Sequence, residues 1–194
     1  MMLAEFLAAQ ASGSETLLEE TCRNLQFLPA EQTEAVIALL VGMLDNPEAE
    51  KRWWAVRALS EIPAQKIPAI LSKMLADPNL EVRQCAALGL RQRPDPHAIF
   101  SLIDLLREPD PLVSRLAGEA LAAIGAPAVE PLIGCLENAP HHVRLNAIRA
   151  LASMRNPHSV PALFEALSDP SLSVEFWANE GLERLGIGMI FYQP

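Results

Sequence analysis

At 194 residues the chain can bury roughly 70 % of its unfolded surface and needs no disulfide to fold. Hydrophobic residues make up 51 % of it but aromatics only 5 %, a Leu- and Ala-rich balance that points to an all-helical protein. Its formal charge is −9 and no Lys/Arg cluster is longer than two residues, which argues against nucleic acid and against an anionic membrane surface as partners.

The N-terminal stretch MMLAEFLAAQASGS is apolar, but no basic residue precedes it and Glu5 interrupts it, so no signal peptide is expected. No apolar run approaches the roughly 18 residues that a membrane span needs. Residues 1–30 hold two helical patterns, MLAEFLAAQ and SETLLEETCRNLQFL, which read as a divergent capping pair. Residues 31–186 then repeat. Each unit opens with an apolar helix (TEAVIALLVGML, IPAILSKML, AIFSLIDLL, AVEPLIGCL or SVPALFEAL), turns near Pro47, Pro78, Pro109, Pro140 or Pro170, and continues into a second helix. Proline fits such a boundary and would break either helix interior. In the second helices an alanine recurs at Ala55, Ala86, Ala117, Ala147 and Ala178, with spacings of 31, 31, 30 and 31. Antiparallel helix pairs at a fixed period stack as an α-solenoid. The expected architecture is therefore all-α, about five repeats after the N-terminal pair, in a single domain over 1–194. The apolar tail at 187–194, with Met189, Ile190, Phe191 and Tyr192, leaves the pattern. It is expected to fold back as a lid on the last repeat, the alternative being an exposed partner-binding peptide.

The recurrent alanine sets the helix phase. Four residues before it stand Lys51, Val82, Val113, Val143 and Val174; three after it, Ala58, Gly89, Ala120, Ala150 and Gly181; four after it, Leu59, Leu90, Leu121, Leu151 and Leu182. These positions lie on one face and form the predicted core stripe. On its flank lie Arg52, Arg83, Ser114, Arg144 and Glu175, and nine residues before each alanine stands a polar acceptor: Asn46, Asp77, Glu108, Asn138 or Asp169. Arginine and acceptor can pair within and between repeats as a structural ladder, and the acceptor can cap the second helix. The ladder is expected to lapse at Ser114 and Glu175.

Cys22, Cys85 and Cys135 are few, widely spaced and set in helical patterns, so buried reduced thiols and a cytoplasmic location are expected. There is no G-x-S-x-G, Walker, C-x-x-C or H-E-x-x-H motif, hence no catalytic constellation and no metal site. His97 and His158 begin the first helices of repeats three and five, too far apart to share a metal, and His141 and His142 open a second helix; all four read as solvated turn residues.

The segments NPHSVPALFEALSDPSLSVEFWANEGL, DPHAIFSLIDLLREPDPLVSRLAGEAL and GAPAVEPLIGCLENAPHHVRLNAIRAL resemble the short HEAT-like repeat of the phycobilin lyase family, over about Glu31 to Gly186. The resemblance implies a cyanobacterial, phycobilisome-related role, in which family members load open-chain tetrapyrroles onto phycobiliprotein cysteines or take part in phycobilisome degradation. The tail from Gly181, GLERLGIGMIFYQP, is similar to endings of such proteins. Another HEAT-like family, the di-iron lysine hydroxylases, needs paired His-Glu dipeptides, and this chain has none.

The face opposite the core carries Trp53, Gln84, Arg115, Leu145 and Phe176 two residues before the alanines, and Arg57, Leu88, Glu119, Arg149 and Glu180 two after. Second helices of solenoids line the concave side, so these ten residues are expected to form one partner-binding groove. Large apolar residues at its two ends suit recognition, and Arg57, Arg115 and Arg149 bring positive charge for carboxylates. Trp54 lies in another register, shared with Cys85, Leu116, Asn146 and Trp177, and is expected to pack between repeats. Two functions remain open. One is a non-catalytic scaffold that binds a phycobilisome-related protein and needs no cofactor. The other is a phycobilin lyase subunit, with a bilin as ligand and a phycobiliprotein or a second HEAT-like chain as partner.

Overall fold

Turns built on proline and on Asx side chains divide the chain into helices of 6 to 14 residues. The computed structural model describes residues 2–187, and all regular structure among them is helical. The lid expected of the tail lies, apart from Ile187, outside the described residues.

The chain forms two compact units, Met1–Arg93 and Pro94–Pro194. The first holds α1 (Met2–Ser12), α2 (Glu15–Asn24), α3 (Ala30–Met43), α4 (Ala49–Glu61), α5 (Ile67–Met74) and α6 (Leu80–Gln92). These are the N-terminal pair and the first two repeats, with α4 packed on α2, α3, α5 and α6. The second unit holds α7 (Ile99–Leu106), α8 (Pro111–Ile124), α9 (Val129–Gly134), α10 (His141–Met154), α11 (Val160–Ala166) and α12 (Leu172–Arg184). There α10 packs against both α8 and α12, so the second helices of repeats three to five form one layer. This is the all-α, solenoid-type helix-pair fold that the period predicts.

The predicted core stripe is buried. All five alanines of the register, four of the five leucines and Val82, Val113, Val143 and Val174 have no exposed surface, and each such Val or Leu contributes on the order of 2 kcal/mol relative to exposure. Lys51 departs from the expectation: it stands at a core register but turns outward to pair with Glu48 at 2.6 Å, because an ammonium without a buried partner stays in water. Two of the small residues after the alanine are required by close helix approach. A Cβ on Gly181 would sit 2.9 Å from both Ala152 Cβ and Leu163 Cδ1, and one on Gly89 would run into Ser60 and Leu71.

The turns are held as the sequence suggests, with one shift. Asn46, Asp77 and Asp169 each accept a backbone N–H two residues on, from Glu48, Asn79 and Ser171, forming Asx turns rather than the helix caps themselves. The caps of α6 and α8 fall to Asn79, which accepts from Val82 N, and to Asp110, which accepts from Leu112 N and Val113 N. His97 and His158 stand exposed in 3-10 turns capped by Asp95 and Asn156.

Candidate functional site

The arginine ladder exists in both units and is structural. In the first, Arg52 Nε and Nη2 donate to the two oxygens of Asp77 at 2.8 Å each, and Nη1 donates to the carbonyls of Asn46 and Pro47. In the second, Arg144 Nε and Nη2 meet Asp169 at 2.6 and 3.1 Å, and Nη1 meets the Ala139 carbonyl. Each is a bidentate charge-assisted pair between successive repeats. Burial opposes the Asp77 charge, but the hydrogen bonds from Arg52 outweigh it and hold this carboxyl below its ordinary value. The Arg144 hydrogen bonds do the same for Asp169. Where the ladder lapses, Ser114 Oγ donates to the Leu106 carbonyl and accepts from Asn146 Nδ2 at 2.9 Å.

The ten face residues divide between the units. In the first, Trp53 and Arg57 on α4 neighbour Gln84 and Leu88 on α6, and all four are half-buried. Trp53 sets its ring edge-on to Trp54, with centroids 4.8 Å apart, while Trp54 is only 6 % exposed, as its register between repeats predicts. Arg57 is clamped by Glu19 of α2 at 2.6 Å and by Glu61. Burial disfavours its charge, but the two carboxylates more than offset this and raise its pKa. The positive charge expected here is thus neutralised within the unit.

In the second unit, α8 contributes Arg115 and Glu119, α10 Leu145 and Arg149, and α12 Phe176 and Glu180. Arg115 pairs with Glu119 at 3.0 Å, and Arg149 reaches the same carboxylate at 4.0 Å. The Arg149 guanidinium lies 4.9 Å above the Trp177 ring, which meets Phe176 edge-on at 5.5 Å. Arg184, paired with Glu180 at 3.0 Å, approaches the same indole at 6.0 Å. Phe176 is 58 % exposed, and Leu172, one turn earlier on α12, is 82 % exposed.

Leu172 and Arg184 were not among the sequence candidates. Following the face one turn upstream of Phe176 would have found Leu172; nothing in the sequence ties Arg184 to Trp177. Trp177, in the register of Trp54, packs on the preceding repeat through Arg149 of α10, and it is half-buried beside the exposed phenylalanine.

The three cysteines are free and buried, with the Cys22 and Cys85 thiols pushed up to about 12 by burial and Cys135 raised for the same reason. Among the described residues no three His, Cys, Asp or Glu side chains cluster as metal ligands, and no helix is long and apolar enough to cross a membrane.

Stacked helix pairs tied by arginine–aspartate ladders between successive repeats define a helical-repeat protein. Residues 67–144 and 129–187 match the family model described as HEAT repeats, and the chain belongs to that family. Among relatives, it is 27 % identical over 161 residues to phycocyanin operon protein Z of Pseudanabaena tenuis, covering 77 % of this chain and 80 % of that one. It is 36 % identical to the phycobilisome maturation protein of Synechococcus elongatus over 54 % of this chain, and 33 % identical to phycocyanobilin lyase subunit beta of Thermosynechococcus vestitus over 52 %. The matches span 50 % and 47 % of those last two relatives. Among solved structures, the complex of CpcE and CpcF of phycocyanin lyase from Nostoc sp. PCC7120 matches with a TM-score of 0.55 and 25 % identity, over 93 % of this chain and 74 % of that one. A designed armadillo repeat protein matches with a TM-score of 0.58 and 21 % identity, over 94 % and 97 %, a likeness of fold.

Proposed function

We propose that the chain is a non-catalytic recognition protein of phycobilisome-related bilin handling in the cytoplasm, whose second-unit face on α8, α10 and α12 docks a phycobiliprotein or a second HEAT-like subunit. The observation that carries this reading is the exposed pair Leu172 and Phe176 on α12, whose opposite side is closed by Val174, Ala178 and Leu182. An aromatic anchor with a leucine one turn away, rimmed by Arg149, Glu180 and Arg184, has the composition of an interface hot spot. The relatives supply the client class.

A second reading, a phycobilin lyase subunit, is favoured by the similarity to the CpcE and CpcF complex. In that reading the same face joins the second subunit and a bilin binds to the pair.

Capture experiments separate the two. Immobilised protein is expected to retain an apo-phycobiliprotein or a HEAT-like lyase subunit, with retention lost in Phe176→Ala and Arg149→Glu, while the visible band of free phycocyanobilin stays unshifted by the protein alone. A shifted band, or a thioether adduct formed on the apo-phycobiliprotein, replaces the scaffold by the lyase reading. Retention unaffected by either substitution removes the face from both.

A further inference from the structure

The second unit contains a cleft of about 690 Å³ bounded by α9, α10, α11 and the start of α12, on the side where the ladder arginines lie and not among the ten face residues. Three repeats upstream, the same register of the first unit holds a cleft of only about 350 Å³. The sequence explains the difference. Ala162 and Ala166 of the larger cleft occupy the positions of Ile70 and Met74, so two long side chains are replaced by methyl groups and the space above Ile148 opens. The charge changes too: Glu165 stands where the first unit has Lys73, while Glu137 stands where it has Asp45.

The floor of the larger cleft is apolar. Arg144 lines it but is already held by Asp169 and the Ala139 carbonyl, so its charge is neutralised in place. Glu137 and Glu165 are exposed at the rim, and among the described residues neither carboxylate meets a cation. An apolar floor with two unneutralised carboxylates at the rim, in a volume of the ordinary ligand-pocket range, suits a ligand with a hydrocarbon chain and a positive end.

We propose that this cleft binds an aliphatic ammonium, its alkyl chain against Ile148, Ala162 and Ala166 and its head at Glu137 and Glu165. A lysine side chain of a partner protein and a free diamine share that chemistry. The inference is independent of the face assigned above.

The test is a methyl-NMR titration of the full chain, reading the Ile133, Ile148 and Val174 methyl signals, which line the cleft and remain in every variant. The probes are 1,5-diaminopentane, an end-blocked pentapeptide with one central lysine among alanines, and hexanoate as the control of opposite charge. Saturable shifts are expected with an ammonium probe, about five- to tenfold tighter than with hexanoate. Tighter binding of the peptide assigns the site to a partner's lysine, and tighter binding of the diamine to a free amine. Glu137→Gln with Glu165→Gln should bring the ammonium probes to the level of hexanoate. Ala162→Ile with Ala166→Met, which restores the side chains of the first unit, should abolish the shifts while the helical circular dichroism stays unchanged. Absence of saturable shifts with either ammonium, hexanoate binding as tightly as they do, or undiminished binding in the filled variant overturns the proposal.

Discussion

The two units answer the same repeat pattern with different degrees of closure. In the first, Arg52 and Asp77 have side chains 10 % and 3 % exposed, Arg57 is tied down by Glu19 and Glu61, and Trp53 leans on a buried Trp54. In the second, Arg144 and Asp169 rise to 26 % and 9 %, and the aromatic pair of α12 presents Phe176 to solvent. The N-terminal pair accounts for part of this, since Glu19 comes from α2. Side-chain length beside the ladder differs as well, Ile70 and Met74 in the first unit against Ala162 and Ala166 in the second. A repeat protein can thus keep one backbone register and still close one stretch more fully than another, because a few substitutions change the surface and leave the core stripe untouched.

The ladder is where the comparison breaks most sharply. Arg52→Ala leaves the Asp77 carboxylate buried without its partner, and a loss of about 3–5 kcal/mol of stability is expected. Arg144→Ala should cost less than half as much, since water reaches that pair. Urea denaturation of both variants reads the difference, and equal losses would mean that the two ladders are equally closed.

Next in size is the close approach of α12 to α10 and α11. Gly181→Val places a side chain against Ala152 and Leu163, and a loss of about 1–3 kcal/mol is expected. The same denaturation assay checks it.

Acid sharpens the comparison further. Asp77 and Asp169 both titrate below the ordinary 3.8 in the folded chain. Each therefore contributes stability that is fully present above the unfolded value and is lost as pH falls through the lower folded one. Stability should decline below about pH 4, and Asp77→Asn and Asp169→Asn should each flatten part of that decline. A pH series of denaturation midpoints measures it.

The smallest effect concerns the thiols. Cys22 and Cys85 titrate near 12 rather than 9, so their neutral burial supports the fold fully below the unfolded value and less as pH rises from 9 towards 12. Ellman's reagent at pH 8 should modify no cysteine in the native chain and all three in denaturant.

Much of this was legible in the sequence, and the exceptions are instructive. The alanine at a period near 31 residues located every second helix and its buried side, because a helix that must pack on two neighbours keeps a small residue at the crossing. The pairing of ladder arginines with the next repeat's aspartate followed from the same register. Lys51 misled, since a register position says where a side chain starts and not where a long one ends. The charge expected of Arg57 was cancelled by Glu19, 38 residues away, a partner that no local pattern reveals. Leu172 was missed for a related reason: a helical wheel gives angles, while exposure is decided by what the neighbouring helix lacks. Residues such as Ala162 and Ala166 mark a cleft only when set against Ile70 and Met74.

The most direct test of the central claim, that the second unit presents its α10 and α12 face to a protein partner, is hydrogen exchange of the full chain with and without a captured phycobiliprotein or HEAT-like subunit. Slowed exchange in α10 and α12, absent in Phe176→Ala, is the predicted result. Slowing confined to the first unit, with α12 unchanged, would contradict it.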